Sequence, residues 1–386
     1  MSTAIVRTTT VKKDSVGIAG AGLLGRLLAW KLLMRGHNVS LFDAGSIEHS
    51  TSTPSAAAGF TAAGMVAPLS EAVVSERAIY DIGLRSLELW PQWIAELEQK
   101  PSSESDFFFQ RGSLAVSHPQ DTAELQQFDA DLNHILGGNT GYQRLNGQQI
   151  QQLEPALSDS FQQGLYLEPE AHINNQQLLN RLLVAIQALG GQLYPHTPVQ
   201  PSAKILQAKG QSHRFDLCID CRGFGAKHSA STEQPLRGVR GEALSVYTKE
   251  IQLQRPVRLM HPRYQLYIVP KPDNIFVLGA TSIESEDMSP ISLQSNLELS
   301  SALFTLNPAF AEARIVNMAV NLRPAFMDNM PRVEVEDGLI KANGLYRHGY
   351  LLAPVVVENI LNTIEQNVDP FQSILQSQPT TETEHA

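Results

Sequence analysis

Two short stretches carry residue types able to do chemistry. In "GIAGAGLLG", Gly17 to Gly25, an apolar run ends in Gly20, Gly22 and Gly25, the spacing G-x-G-x-x-G, and an acid, Asp43, closes the next apolar run. At that spacing Gly20 makes a tight turn, Gly22 lets the backbone approach a pyrophosphate, and Gly25 lets a helix pack closely on a strand. The first amides of the helix then face the phosphates, and Asp43 can accept from a ribose hydroxyl. The pattern predicts dinucleotide binding, with glycine-rich packing as the competing reading. In "NGLYRHGYLLAPVVVENI", Asn343 to Ile360, Tyr346, Arg347 and His348 stand directly before Gly349 inside an apolar run. This stretch reads as a strand entering a helix. A sharp turn or a close backbone approach accounts for Gly349; only contact with a ligand also accounts for a basic aromatic cluster in a buried segment. Pro354 suits the first turn of the helix, which leaves amides around Leu351 to Ala353 free to face that ligand.

The elements that must hold these stretches follow from periodicity. "SVGIAGAGLLGRLLAWKLLMRGHNVSLFDAGS" reads as a strand, a helix with Leu23, Leu27 and Trp30 on one stripe, a turn at Gly36 and a second strand ending at Asp43. The small residues around Ala62 to Met65 lack the bulk of a core helix and suit a segment lying against something that already fills the space. A helical region with Trp90 and Trp93 as packing residues comes next, and then a strand-like "FFFQRGSLAVS" with Gln-rich helical material. From Asn174 a helix stopped by Gly-Gly and the strand "FDLCIDC" resume the α/β pattern, whereas Gly238 to Ala280 breaks into short strands of an antiparallel sheet. The fold class expected is therefore α/β, a Rossmann-like nucleotide domain with an inserted antiparallel-sheet substrate domain. The boundaries place 14–85, 165–235 and 320–366 in the first domain, 86–164 and 236–319 in the second, and flexible termini at 1–13 and 370–386.

Composition narrows the function classes. A chain of 386 residues exceeds what one core usually serves, and its net charge of −10, with no run dense in Lys or Arg, argues against nucleic acid as a partner. No stretch reaches the length of a membrane span and the N-terminus has no signal-like apolar region, so the cytoplasm is the simplest location. Cys218 and Cys221 fall on opposite faces of an apolar strand, as buried thiols rather than a redox pair. His172, His196 and His261 lack metal-ligand spacing, and no metal site is expected. A glycine motif near residue 15 with another sheet segment at the far C-terminus suits FAD, stretched across the whole domain, better than NAD; Asp43 disfavours NADP.

In order, "GAGLLG", "AAGMVAP" at Ala62 to Pro68, "DCRGFGA", "YIVP" before "VLGAT", "NLRP" at Asn321 to Pro324 and "LYRHGYLLAP" resemble the D-amino-acid-oxidase-like flavoproteins. The likeness spans about Val16 to Ile364 and is greatest to the glycine oxidases associated with thiamine synthesis (ThiO-like). It implies a GR2-type FAD domain and non-covalent FAD, since no cysteine stands in the final flavin-contacting region. It implies that Gly20, Gly22, Leu24, Gly25 and Asp43 cradle the dinucleotide, and that Ala62, Ala63, Gly64 and Met65 lie along the flavin. Val199 would meet adenine, Arg222 and Gly223 the pyrophosphate, and Tyr346, Arg347, His348, Gly349, Tyr350 and Leu351 would pass the ring. Arg323 would pair with the substrate carboxylate, Tyr267 would donate its hydroxyl and Arg347 would add a second positive charge, roles that suit a planar guanidinium fork. His348 is assigned no proton transfer. The implied reaction is oxidative deamination of glycine or another small amino acid by molecular oxygen, giving an imine or 2-oxo acid, ammonia and hydrogen peroxide. A dehydrogenase of D-amino or N-methyl amino acids with another acceptor, and a non-catalytic flavin-binding protein, are the alternatives; oligomeric state is left open. Ser282, Ile283 and Glu284 stand where one branch of the family has a methionine.

Overall fold

The protein is described as a computed structural model covering residues 13–48, 57–138, 141–229, 235–263, 266–279 and 281–376. A six-stranded sheet runs in the order Arg332–Glu336, Leu339–Asn343, Leu217–Asp220, Ser15–Ala19, Asn38–Phe42, Gln192–Tyr194. Its pairings are parallel except for the first, an antiparallel hairpin turned at Gly338, whose φ is +74°. Ala19 pairs with both Phe42 and Asp220, so three strand ends lie side by side where α/β sheets bind ligands. The helix Leu23–Met34 is buried from Leu23 to Leu33, including Lys31 and Arg26, whose guanidinium donates to the carbonyls of Ala21 and Leu179. It packs between the helices Asn175–Ala188 and Gly349–Glu365. Cys218 and Cys221 are free, buried, and belong to cores on opposite sides of the sheet.

An eight-stranded sheet forms the second layer, in the order Arg314–Ala325, Arg237–Tyr247, Ile275–Gly279, Leu266–Lys271, Val257–Met260, Ser113–Ser117, Gln163–Leu167, Tyr142–Asn146. The antiparallel strands expected from Gly238 onward are its middle. Distant segments extend both edges, and one pairing, Val257–Met260 with Ser113–Ser117, is parallel. Leu244, Ile268 and Leu278 close a core against Leu299, Leu303 and Leu306 of the helix Leu293–Leu306. Among the described residues, no helix is long and apolar enough to cross a membrane.

Several boundaries shift. The helix Arg77–Glu98 is continuous through the expected boundary at 85/86, and its Trp90, Trp93 and Ile94 join the core of the parallel sheet. Boundaries at 164/165 and 319/320 likewise fall inside strands of the eight-stranded sheet. The flexible ends lie mostly outside the described residues, but within 370–376 a helical turn, Gln372–Leu375, buries Leu375 against the helix Gly349–Glu365.

The C-terminal stretch also differs from expectation. The strand ends at Asn343; Tyr346–His348 form one 3-10 turn, with Tyr346 at φ 49°, and the helix begins at Gly349. Gly349 itself has an ordinary helical φ of −48°. Pro354 is therefore inside the helix, not in its first turn, and the free first-turn amides are those of Gly349 to Leu351 rather than Leu351 to Ala353. A proline there gives no N–H to the carbonyl four residues back, that of Tyr350. Trp90 supplies the missing donor, its Nε1 lying 2.9 Å from Tyr350 O in a buried setting. Trp90→Phe should leave this carbonyl unsatisfied and lower unfolding free energy by about 1–3 kcal/mol, as read by urea denaturation of the flavin-loaded protein; an unchanged midpoint would show that water takes the donor's place.

Candidate active site

A cavity of about 330 Å³ begins at the glycine turn and ends at the eight-stranded sheet. At its nucleotide end Gly20 has φ +100°, and a Cβ on Gly25 would stand 1.9 Å from Gly20 O, so both glycines are required by the turn. Asp43 Oδ2 accepts from Ala21 N at 2.7 Å, which ties the acid to that turn. Arg222 lines the cavity but is engaged by Asp220, through Nε at 2.9 Å and Nη2 at 2.7 Å. Its Nη1 also donates to Val199 O, and Val199 lines neither this cavity nor its neighbour.

The small-residue segment Ala62 to Met65 forms one wall. Gly64 has φ +75°, and a Cβ there would lie 2.2 Å from Ile173 O. Lys271 Nζ donates to Ala63 O at 2.6 Å and Ile173 O at 2.5 Å, which pins the segment; burial pushes this amine down to about 7. Asn321 Nδ2 donates to Thr61 Oγ1 at 3.1 Å from the opposite strand. Gly20, Gly22, Leu24, Gly223, Tyr346, Gly349 and Tyr350 line the same cavity, while Gly25 packs behind it and His348 and Leu351 face a smaller one.

At the far end stand Tyr267, Arg323 and Arg347, brought together from three segments. Tyr267 is cross-strand from Gly279, and a Cβ on Gly279 would fall 2.3 Å from its ring; one on Gly241 would fall 2.5 Å from the Arg323 guanidinium. Both side chains therefore lie flat on glycines of neighbouring strands. Arg323 Nη1 donates to Thr281 O at 3.0 Å and Arg240 O at 3.4 Å. No carboxylate reaches ion-pair distance of it among the described residues, and burial lowers its pKa. Arg347 differs from expectation in being paired: Nη2 lies 2.5 Å from Glu71 Oε2, which is also 2.9 Å from His348 Nε2. Burial opposes ionisation of Glu71, but His348, Arg347 and Arg258 outweigh it and hold the carboxyl well below its usual range.

Glu71, Arg258, Lys271 and Asn321 were not among the residues singled out from sequence. Arg258 had a usable signal: its strand, Val257–Met260, is otherwise apolar, and a charge in a buried strand must have a purpose. Glu71 had none beyond following "AAGMVAP".

The protein-family model for FAD-dependent oxidoreductases, DAO, matches residues 15–359. The chain belongs to this family. It is 35% identical to a Rhizobium etli protein named as a thiamine biosynthesis oxidoreductase, ThiO, over 89% of this chain and 94% of that one. To the glycine oxidase of Geobacillus kaustophilus it is 24% identical over 92% of this chain and 94% of the other. The crystal structure of glycine oxidase from that organism superposes with a TM-score of 0.80, at 22% identity, covering 95% of this chain and 99% of that chain. That of iminodiacetate oxidase from Chelativorans sp. BNC1 gives 0.78 at 19% identity, covering 94% and 98%.

As a DAO-family protein the chain is an FAD-dependent oxidoreductase of the amino-acid-oxidising type, and its residues fit the cofactor. The helix Leu23–Met34 starts without a side-chain cap, so its first amides are available to phosphate oxygens. A Cβ on Gly349 would meet nothing within 4 Å, so glycine there leaves open space beside the wall of Ala62 to Met65 rather than relieving a clash. The one cysteine lining the cavity, Cys221, sits at the nucleotide end, and burial holds its thiol well above its usual value, in keeping with non-covalent FAD.

Two measurements test this geometry. Gly241→Ala and Gly279→Val push against the far ends of flexible side chains, so the cost should fall on the site rather than on the fold. Each should lower kcat/KM for the oxidised amino acid on the order of a hundredfold with FAD content unchanged, and wild-type kinetics in both would mean that Arg323 and Tyr267 do not act from these positions. Behind Ser70, burial pushes Glu170 up to about 7, although Ser70 and Ser113 donate to it. Between about 4.5 and about 7 only the folded chain keeps that proton, so unfolding free energy should fall as pH rises across this window, by on the order of 3 kcal/mol. Glu170→Gln should flatten the slope in denaturant titrations at pH 5, 6 and 7.

Proposed function

We propose that the chain oxidises the α-carbon of a small amino acid, with glycine as the reference substrate and molecular oxygen as the final acceptor. The products would be glyoxylate, ammonia and hydrogen peroxide, one water being consumed when the imine hydrolyses. The observation that carries this reading is Arg323: a buried guanidinium, laid on Gly241, facing the cavity with only carbonyl partners among the described residues. A substrate carboxylate would complete its fork through two parallel hydrogen bonds, with Tyr267 donating beside it. Bound FAD would supply the two-electron acceptor for the hydride leaving the α-carbon. Arg258, Arg323 and Arg347 outnumber Glu71 around this end, and an excess of positive charge favours the neutral amine over the ammonium. No side-chain base is then needed, in keeping with a His348 held by Glu71 and Ser75. The glycines at 241 and 279 keep the sheet surface low beneath the reacting carbon.

A role in thiamine synthesis, supplying the glycine imine before hydrolysis, draws support from the names of the relatives, and the location proposed is the cytoplasm. Anaerobic mixing of the yellow protein with glycine, sarcosine and D-alanine should bleach the flavin with at least one of them, and air should restore it within seconds. Bleaching followed by very slow return in air would replace oxygen with another acceptor; no bleaching at all would leave a non-catalytic flavoprotein. Arg323→Ala should keep FAD and lower kcat/KM about a hundredfold or more, mostly through KM, with Arg323→Lys recovering little.

A further inference from the structure

The reading above places one carboxylate on Arg323. A smaller cavity, about 80 Å³, opens beside the first, and Met65, Tyr267, Arg323 and Arg347 line both. Arg258, Ser70 and Ser113 belong to the smaller one alone. Arg258 is 6% exposed. Its Nη1 donates to Ser70 O at 2.7 Å, whereas Nη2 stands 3.6 Å from Glu71 Oε1, beyond hydrogen-bond length. Among the described residues, nothing accepts a hydrogen bond from its Nε or Nη2. A guanidinium carries five N–H donors, and a buried one left short of acceptors is costly.

Charge points the same way. Three arginines and one carboxylate, Glu71, line the small cavity, and Glu71 is already shared by Arg347 and His348. An α-carboxylate on Arg323 leaves one positive charge in excess. Glu170 is close enough to attract Arg258, but it lies behind Ser70 and Ser113 and does not line the space. A water's share of liquid volume is about 30 Å³, so the cavity has room for a carboxymethyl group.

We propose that this side cavity binds a second carboxylate of the substrate, with Arg258 as the specificity-determining residue. The preferred substrate is then an amino acid with two acid groups, the second carried either on the nitrogen or on the side chain. This rests on the amino-acid oxidase reading, and the experiment separates the two. Flavin reduction and steady-state kinetics are measured with glycine, iminodiacetate, D-aspartate and D-glutamate. At least one diacid should exceed glycine in kcat/KM, iminodiacetate if the second group is on nitrogen, a D-amino acid if it is on the side chain. Arg258→Met should lower the diacid-to-glycine ratio of kcat/KM about thirtyfold or more, through KM. If glycine is oxidised and every diacid is poorer, or the ratio does not move, the second-acid site is wrong while the oxidase reading stands; if none reduces the flavin, both fail. Should Arg258→Met not fold, wild-type protein decides: succinate should perturb the flavin spectrum at concentrations at least about tenfold below propionate, and equal affinities would overturn the proposal.

Discussion

A buried cation with no anion beside it among the described residues governs this end of the molecule. Arg323 lies on Gly241, held by two backbone carbonyls, in surroundings that disfavour its charge. Keeping a guanidinium ionised there requires the eight-stranded sheet to hold it rigidly and the space before it to stay polar. Gly241 and Gly279 answer the first need, because any larger residue would lift the side chains off the sheet. Tyr267, Tyr346 and Glu71 answer the second, since each favours the charged guanidinium, whereas Arg347 opposes it. Glu71 belongs to the same logic: its carboxylate bonds Arg347 and lies 3.6 Å from Arg258, so three positive charges share one negative charge.

Cofactor and substrate ends are joined by a wall with few side chains. Ala62 to Met65 present mostly backbone to the cavity, and their path is fixed from behind by Lys271 and by the close approach of Gly64 to Ile173. On the opposite side the helix Gly349–Glu365 begins at a glycine beside open space, and Trp90 restores the hydrogen bond that Pro354 removes. Each device uses a buried polar group to fix backbone, which is how a site that must touch a flat ligand closely avoids bulky residues.

Much of this was legible in the residue string. The glycine turn with Asp43 at a strand end was readable because only glycine meets its dihedrals and contacts, and "LYRHG" was readable because charge in an apolar run is expensive. The 3-10 turn at Tyr346–His348 was not. Nothing in the local pattern told a strand from a turn, and Pro354 looked like a helix start because its compensation by Trp90 lies 260 residues away. Glu71 and Lys271 were hidden for the same reason: their partners come from distant segments, Arg347 in one case and Ile173 in the other. The continuous helix Arg77–Glu98 was misdivided because its apolar stripe does not say which of two cores it will join.

The strand order has a consequence for biosynthesis. Ser15–Ala19 sits at the middle of the parallel sheet, and its neighbour Leu217–Asp220, far along the chain, is itself covered by Leu339–Asn343. During synthesis the β-α-β unit Ser15–Phe42 must therefore wait, both edges bare, for about two hundred residues before Gln192–Tyr194 and Leu217–Asp220 pair with it, and the sheet then waits about a hundred more for Leu339–Asn343. Parallel strands paired across such spans are intrinsically slow to form, and their unpaired edges are exposed to wrong partners meanwhile.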